Sequence, residues 1–199
     1  MSFSKYVTTL AAVCSLGVIA GAPAQAAPTP AVAEEPQAVG KVDVERYLGT
    51  WYQVAAVPQL FEVQCAKNVT AAYSLTASGA VGVRNTCTTW WNTTSAVTGE
   101  AKALDASNAR LNVSFLKLGG SYVHTGDPNY IVTGLDTGYG WAVVTDSDRK
   151  SGFVLSRSVT LTATQWAAAR DSIRAAGLDA CDFRTTRQDG GTKTSSRLC

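Results

Sequence analysis

Few side chains in this sequence are equipped for chemistry. It contains five cysteines and one histidine. Cys65, Cys87, Cys181 and Cys199 all follow an export-type leader. An even number of cysteines in an exported chain points to disulfides. Three pairings are open, and sequence proximity favours Cys65–Cys87 with Cys181–Cys199. If left unpaired, Cys87 would be a reactive thiol on an inward strand face, so a thiol enzyme is the main catalytic alternative. No Cys-x-x-Cys pair has histidine partners, so no metal site is expected. A Ser-His-Asp arrangement would have to centre on His124, within the loop Gly119 to Gly126. No Gly-x-Ser-x-Gly elbow accompanies it, and a solvated loop histidine is the expectation. No catalytic residue and no cofactor are assigned, which leaves binding as the reading to test.

A binding site must be held by strands. Eight strand-like runs alternate in polarity, as when one face points inward and the other toward water. In Arg110 to Phe115, the residues Leu111, Val113 and Phe115 share one face. Val97 to Ala103 repeats the pattern with small inward residues. Thr70–Leu75 and Val81–Asn85 form a hairpin around Ser78-Gly79. The remaining runs are Trp51–Val57, Tyr130–Leu135, Trp141–Thr145 and Gly152–Ser156. In the last three, Ile131, Leu135, Trp141, Val143 and Val154 are apolar on the outward face and require a cover. Thr162 and Gln165 fit a capping box, Trp166, Ala169 and Ile173 recur at helical spacing, and Gly177 ends the run. One helix at about 163–176 is therefore expected outside the late strands. Eight antiparallel strands can close on themselves and hold side chains or one small ligand.

Lys5, the apolar stretch Val7 to Ala20 and Ala24-Gln25-Ala26 read as a secretory signal peptide spanning 1–26. Cys14 offers a lipid-anchored precursor as the minor reading, weakened by bulky Val13 before it. Residues 27–40 read as a flexible leader, 41–187 as one barrel domain with its helix, and 188–199 as a tail tied by Cys199. A secreted, extracellular protein is expected. A net charge of +2 with 16% charged residues gives no reason to expect nucleic acid. No stretch after the leader is suited to stable membrane insertion, and a monomer is expected.

Arg46-Tyr47-Leu48-Gly49-Thr50-Trp51-Tyr52-Gln53-Val54-Ala55 resembles the first signature of lipocalins, in the branch of bacterial lipocalins and apolipoprotein D. Leu135-Asp136 with Tyr139 resembles the second signature in part, and Leu155-Ser156-Arg157 the third. The resemblance runs from about Val42 to Phe183. It implies an all-β fold: an eight-stranded antiparallel up-and-down barrel with one C-terminal α-helix packed outside. Gly49, Trp51, Asp136, Tyr139 and Arg157 are then structural, with Trp51 closing the narrow end and Arg157 lying across its ring. The implied activity is carriage of a small hydrophobic ligand, a fatty acid, lysophospholipid or similar molecule.

The ligand would meet a lining, carried over by strand parity. Inward candidates are Ala55, Ala71, Tyr73, Val83, Asn85, Val97, Ala101, Leu111, Val113, Phe115, Tyr130, Val132, Val144, Phe153 and Leu155. Leu60 and Phe61 would stand at the mouth. The competing reading is a filled barrel acting through its surface loops. Trp90-Trp91 is expected to place one ring against the barrel and leave the other partly exposed.

Overall fold

The computed structural model describes residues 34–199; the signal-peptide, cleavage-site and Cys14 readings lie outside them. Alternation of side chains produces a ring of strands. They are β1 (Gly49–Ala56), β2 (Cys65–Leu75), β3 (Val81–Thr89), β4 (Thr94–Ala103) and β5 (Arg110–Ser114), then a small hairpin of β6 (Lys117–Leu118) and β7 (Ser121–Tyr122), then β8 (Tyr130–Leu135), β9 (Trp141–Thr145) and β10 (Gly152–Ser156). Each strand of the ring pairs antiparallel with the next, β5 pairs with β8, and β10 returns to β1. Closure removes the sheet edges. A one-turn helix α1 (Val44–Tyr47) precedes β1, and a short β11 (Arg184–Thr185) adds beside its far end.

The outer cover is α2 (Ala163–Ala175). It starts as the sequence indicates: Thr162 Oγ1 accepts from Gln165 N, and Gln165 Oε1 accepts from Thr162 N. It stops at Gly177, which takes φ 79° while Leu178 N reaches Ile173 O and Gly177 N reaches Arg174 O. Ala169, Ile173 and Ala176 pack with Trp141, Val143, Val154 and Phe183 in a core outside the barrel. Burying a side chain such as Ile173 contributes roughly 1.5–3 kcal/mol. Gly134 permits the close approach, since a Cβ there would stand 2.6 Å from Ser172.

Two bulges break the parity count. The β1–β10 register shifts between Gln53 and Ala55, so Val54 and Ala55 both join the outer core while Gln53 keeps the inward side. Ala55 is therefore not an inward residue, contrary to expectation. The β8–β9 register shifts between Val132 and Gly134, which turns Leu135 from the expected outward face toward the inner core.

Residues 34–40, the described part of the expected leader, lie along the barrel. Val39 N donates to Val132 O, Glu35 pairs with Arg110, and Pro36 is fully buried. Ordered packing therefore begins before residue 41, where the barrel domain was expected to start. At the other end, Gln188 Nε2 donates to Gln53 O and Val69 O, at 2.9 Å each, bridging the place where β1 and β2 separate. Cys199 is bonded to Cys181.

Candidate functional site

The barrel has a closed end and an open end. At the closed end Trp51 is fully buried, its Nε1 donating to Tyr47 O at 2.8 Å. The Arg157 guanidinium lies 3.8 Å over the ring and donates to the carbonyls of Arg46, Leu48 and Thr50. This stack contributes ~0.5–2 kcal/mol. Gly49 sits at φ 91°, where a Cβ would meet Arg157 Nη1 at 3.4 Å. Asp136 accepts from Gly140 N, and Tyr139 accepts from Asp43 N through its hydroxyl while Arg46 stacks on its ring. These residues fasten the closed end and do not reach the cavity.

Above Trp51 lies a cluster of three tyrosines. Tyr130 shares hydrogen bonds of 2.9 Å with both Tyr47 and Tyr73. Two bonds use two of the three hydroxyl protons, so one O–H is left to donate. Burial pushes the Tyr73 hydroxyl up to about 12 and raises Tyr47 and Tyr130 as well, with the neighbouring hydroxyls adding to the effect on Tyr47 and Tyr130. A tyrosine that ionises later in the folded barrel than in the unfolded chain stabilises the fold below the unfolded value near 10. That contribution disappears as the pH climbs toward 12. Stability to urea will therefore fall between about pH 10 and 12. Tyr130→Phe will make that fall shallower, as measured by unfolding midpoints across the range.

The cavity of about 320 Å³ opens from this cluster toward the far end. Ala71, Tyr73, Val83, Asn85, Val113, Tyr130, Phe153 and Leu155 line it from the strands, Phe115 from just past β5, and Phe61 from the first loop. Ala101, Leu111 and Val132 line a smaller void of about 40 Å³ beside the tyrosines. Three further inward candidates are absent from both linings. Val144 is fully buried in the inner core, Ala55 belongs to the outer core, and Val97 is half exposed although it pairs with Asn85. Leu60 is 91% exposed and lines a separate outer cleft instead of the cavity mouth. The loop that carries it turns as a short 3-10 helix, Leu60–Glu62, which aims Phe61 inward and Leu60 outward.

Parity also missed the polar part of the lining: Gln53, Gln59, Glu62, Asn129, Asp146 and Ser151, with Val69 and Thr70 from β2. Glu62 accepts from Gln53 Nε2 at 3.1 Å, and its carboxyl is raised by burial, an effect this bond opposes. Asp146 is spent on the amides of Lys150 and Ser151 and on the Ser151 hydroxyl. Asn85 Oδ1 is a buried side-chain acceptor without a hydrogen-bond partner among the described residues. Among the described residues, no lysine, arginine or histidine lines the cavity.

The thiol alternative fails on connectivity. Cys87 is bonded to Cys65, and Cys181 to Cys199, the pairing that sequence proximity favours. Thiol titration of the folded, unreduced protein will find none of these four reactive. Replacing Cys65 and Cys87 together by serine will cost ~2–4 kcal/mol of unfolding free energy in urea. His124 is not the solvated loop residue expected: its ring bonds Asn112 and stands 3.2 Å from Glu100 Oε1. No group of His, Cys, Asp and Glu among the described residues is arranged to hold a metal ion. Both Trp90 and Trp91 are exposed, where one packed ring was expected.

Comparison with known proteins agrees with this geometry. Residues 42–188 match the Lipocalin-like domain family. The chain is 37% identical over 131 residues to the outer membrane lipoprotein Blc of Citrobacter freundii, covering 62% of this chain and 67% of that protein. It is 30% identical over 137 residues to temperature-induced lipocalin-1 of Arabidopsis thaliana, covering 64% and 69%. Among solved structures, insecticyanin from the tobacco hornworm Manduca sexta superposes with a TM-score of 0.59 at 18% identity, over 82% of this chain and 89% of that one. Lobster apocrustacyanin A1 gives 0.56 at 17%, over 78% and 91%. With the closed eight-stranded ring, the outer helix and the Trp51–Arg157 stack in place, the family match assigns the chain to the lipocalin-like family, whose barrels bind small hydrophobic ligands.

Proposed function

We propose that this protein is a secreted monomeric carrier, not an enzyme, that holds one single-chain lipid in the barrel, a fatty acid, lysophospholipid or similar molecule. The observation that carries the reading is the cavity itself. It is closed at one end by the tyrosine cluster above Trp51 and walled by Ala71, Val83, Val113, Phe115, Phe153 and Leu155. The apolar tail lies along this wall. The head group stays at the rim near Gln59, Glu62 and Asn129, because no cation among the described lining residues can pair with a buried anion. Asn85 Oδ1 and the spare tyrosine proton supply an acceptor and a donor for a hydroxyl or carbonyl part-way along the guest. Burying about ten methylenes at ~0.8 kcal/mol each gives ~8 kcal/mol before association costs, which sets a ceiling of about micromolar affinity for the tail alone. Release from the producing cell would follow cleavage near Ala26.

Lipid extraction and mass spectrometry of the protein purified from its own secretion test the reading. A single-chain lipid recovered in near-stoichiometric amount is expected. A lipid-free protein that also takes up none on incubation would support a filled barrel acting through its loops.

A further inference from the structure

The exposed apolar side chains are distributed unevenly between the two ends of the barrel. At the open end Leu60, Val63, Trp90, Trp91, Leu116 and Leu118 all stand more than half exposed, Leu60 at 91% and Trp91 at 77%. At the closed end the large exposed hydrophobics among the described residues are Leu75 and Leu104. Single exposed apolar side chains need no explanation, but a cluster on one surface marks an interaction site. Part of this cluster is held in shape. Trp90 donates through Nε1 to Val63 O at 2.8 Å, Trp90 N donates to Gln64 O, and the Cys65–Cys87 bond ties the bases of the two loops.

Beside these loops runs the outer cleft, about 800 Å³, bordered by the start of β2 and the C-terminal tail. Lys67, Arg184, Arg187 and Lys193 line it, against Glu62 as the acid. Arg187 lies 5.1 Å over the Trp90 ring, so cation and aromatic belong to one surface. Lys67 pairs with Asp189; Arg184, Arg187 and Lys193 have no carboxylate partner among the described residues. The acids of the neighbouring 146–151 turn are satisfied internally, Asp146 by backbone amides and Asp148 by Lys150.

Indole and aliphatic side chains beside unpaired cations have the composition of a surface that rests on a membrane interface. The rings sit at headgroup depth and the cations meet anionic lipid. We infer that the open end of the barrel docks on an anionic lipid bilayer through Leu60, Val63, Trp90 and Trp91, with Arg184, Arg187 and Lys193 against the headgroups. A second copy of the chain fits this surface less well, because a two-fold contact would set the same cations against one another. No helix among the described residues is long and apolar enough to cross a membrane, and the docking inferred here is a peripheral contact. The docked orientation turns the cavity mouth to the bilayer. The inference does not depend on whether the cavity holds a guest.

Co-sedimentation of the mature chain with two kinds of vesicle tests it: phosphatidylcholine alone, and phosphatidylcholine mixed with phosphatidylglycerol. The mixed vesicles will carry the protein down and shift its tryptophan emission to the blue. Leu60→Ser with Trp91→Ser will weaken binding about ten-fold or more. Arg184→Glu with Lys193→Glu will weaken it about thirty-fold or more and remove the preference for the anionic vesicles. Leu75→Ser with Leu104→Ser, at the closed end, will leave it unchanged. All six substituted positions are exposed, and an unaltered thermal melt confirms folding for each variant. Absence of sedimentation, equal binding to both vesicles, or an equal loss from the closed-end pair would overturn the inference. So would a concentration-dependent dimer with no affinity for vesicles.

Discussion

Trp51→Ala will lower unfolding free energy by ~3–5 kcal/mol, the largest stability loss expected from a single substitution in this barrel. The ring is fully buried, packs 4.8 Å from Tyr47, and carries Arg157 on its other side. Its removal leaves a void that stiff neighbouring strands close only in part, and it strands the Tyr47 carbonyl that Nε1 now satisfies. For a domain of this length the melting temperature should fall by roughly 6–20 °C. Trp51→Phe should lose less, because most of the packing surface remains. Arg157→Lys will not substitute for arginine, since one ammonium cannot reach the carbonyls of Arg46, Leu48 and Thr50 in the planar fork geometry. Urea unfolding of the set measures the order. A Trp51→Ala loss under about 1 kcal/mol would mean that the closed end is not held as described.

The second large effect is on binding. Val113→Trp will reduce affinity for a long-chain lipid about a hundred-fold, with the barrel still folded. Val113 borders both the main cavity and the smaller void by the tyrosines, so an indole there has room to grow into the space a guest uses. Excluding three or four methylenes at ~0.8 kcal/mol each removes ~3 kcal/mol. Leu60→Ser provides the contrast. Leu60 is exposed and outside the cavity lining, so its loss should leave affinity for soluble lipid unchanged. If the Leu60 variant lost affinity and the Val113 variant kept it, the guest would belong to the outer cleft.

The sequence shows some of these features and not others, for identifiable physical reasons. Strand alternation, the Thr162–Gln165 capping box and the Gly177 stop are local patterns, and each appears in the structure where the residues indicate. The signature positions Gly49, Trp51 and Arg157 do meet at the closed end. A lining predicted from a period of two holds only while the register does. A single extra residue at Val54 moves Ala55 outside, and another at Thr133 brings Leu135 inside. Neither bulge has an unambiguous local mark, although Gly134 next to the second is the kind of residue that permits close approach. Glu62, Asn129 and Asp146 reach the cavity from loops, where no periodicity exists to read. The sequence does not show that His124 is held, because the ordering of the 115–129 loop against Asn112 depends on contacts that alternation does not encode.

On this reading the open end of the barrel admits one apolar guest into a cavity floored by the tyrosine cluster. Titration with a fluorescent long-chain fatty acid tests it most directly, following probe emission and quenching of protein tryptophan together. A saturable one-to-one signal in the micromolar range is expected, displaced by lysophospholipid and weakened about a hundred-fold in Val113→Trp. A linear, unsaturable response with no tryptophan quenching, or a saturable one unaffected by Val113→Trp, would contradict it.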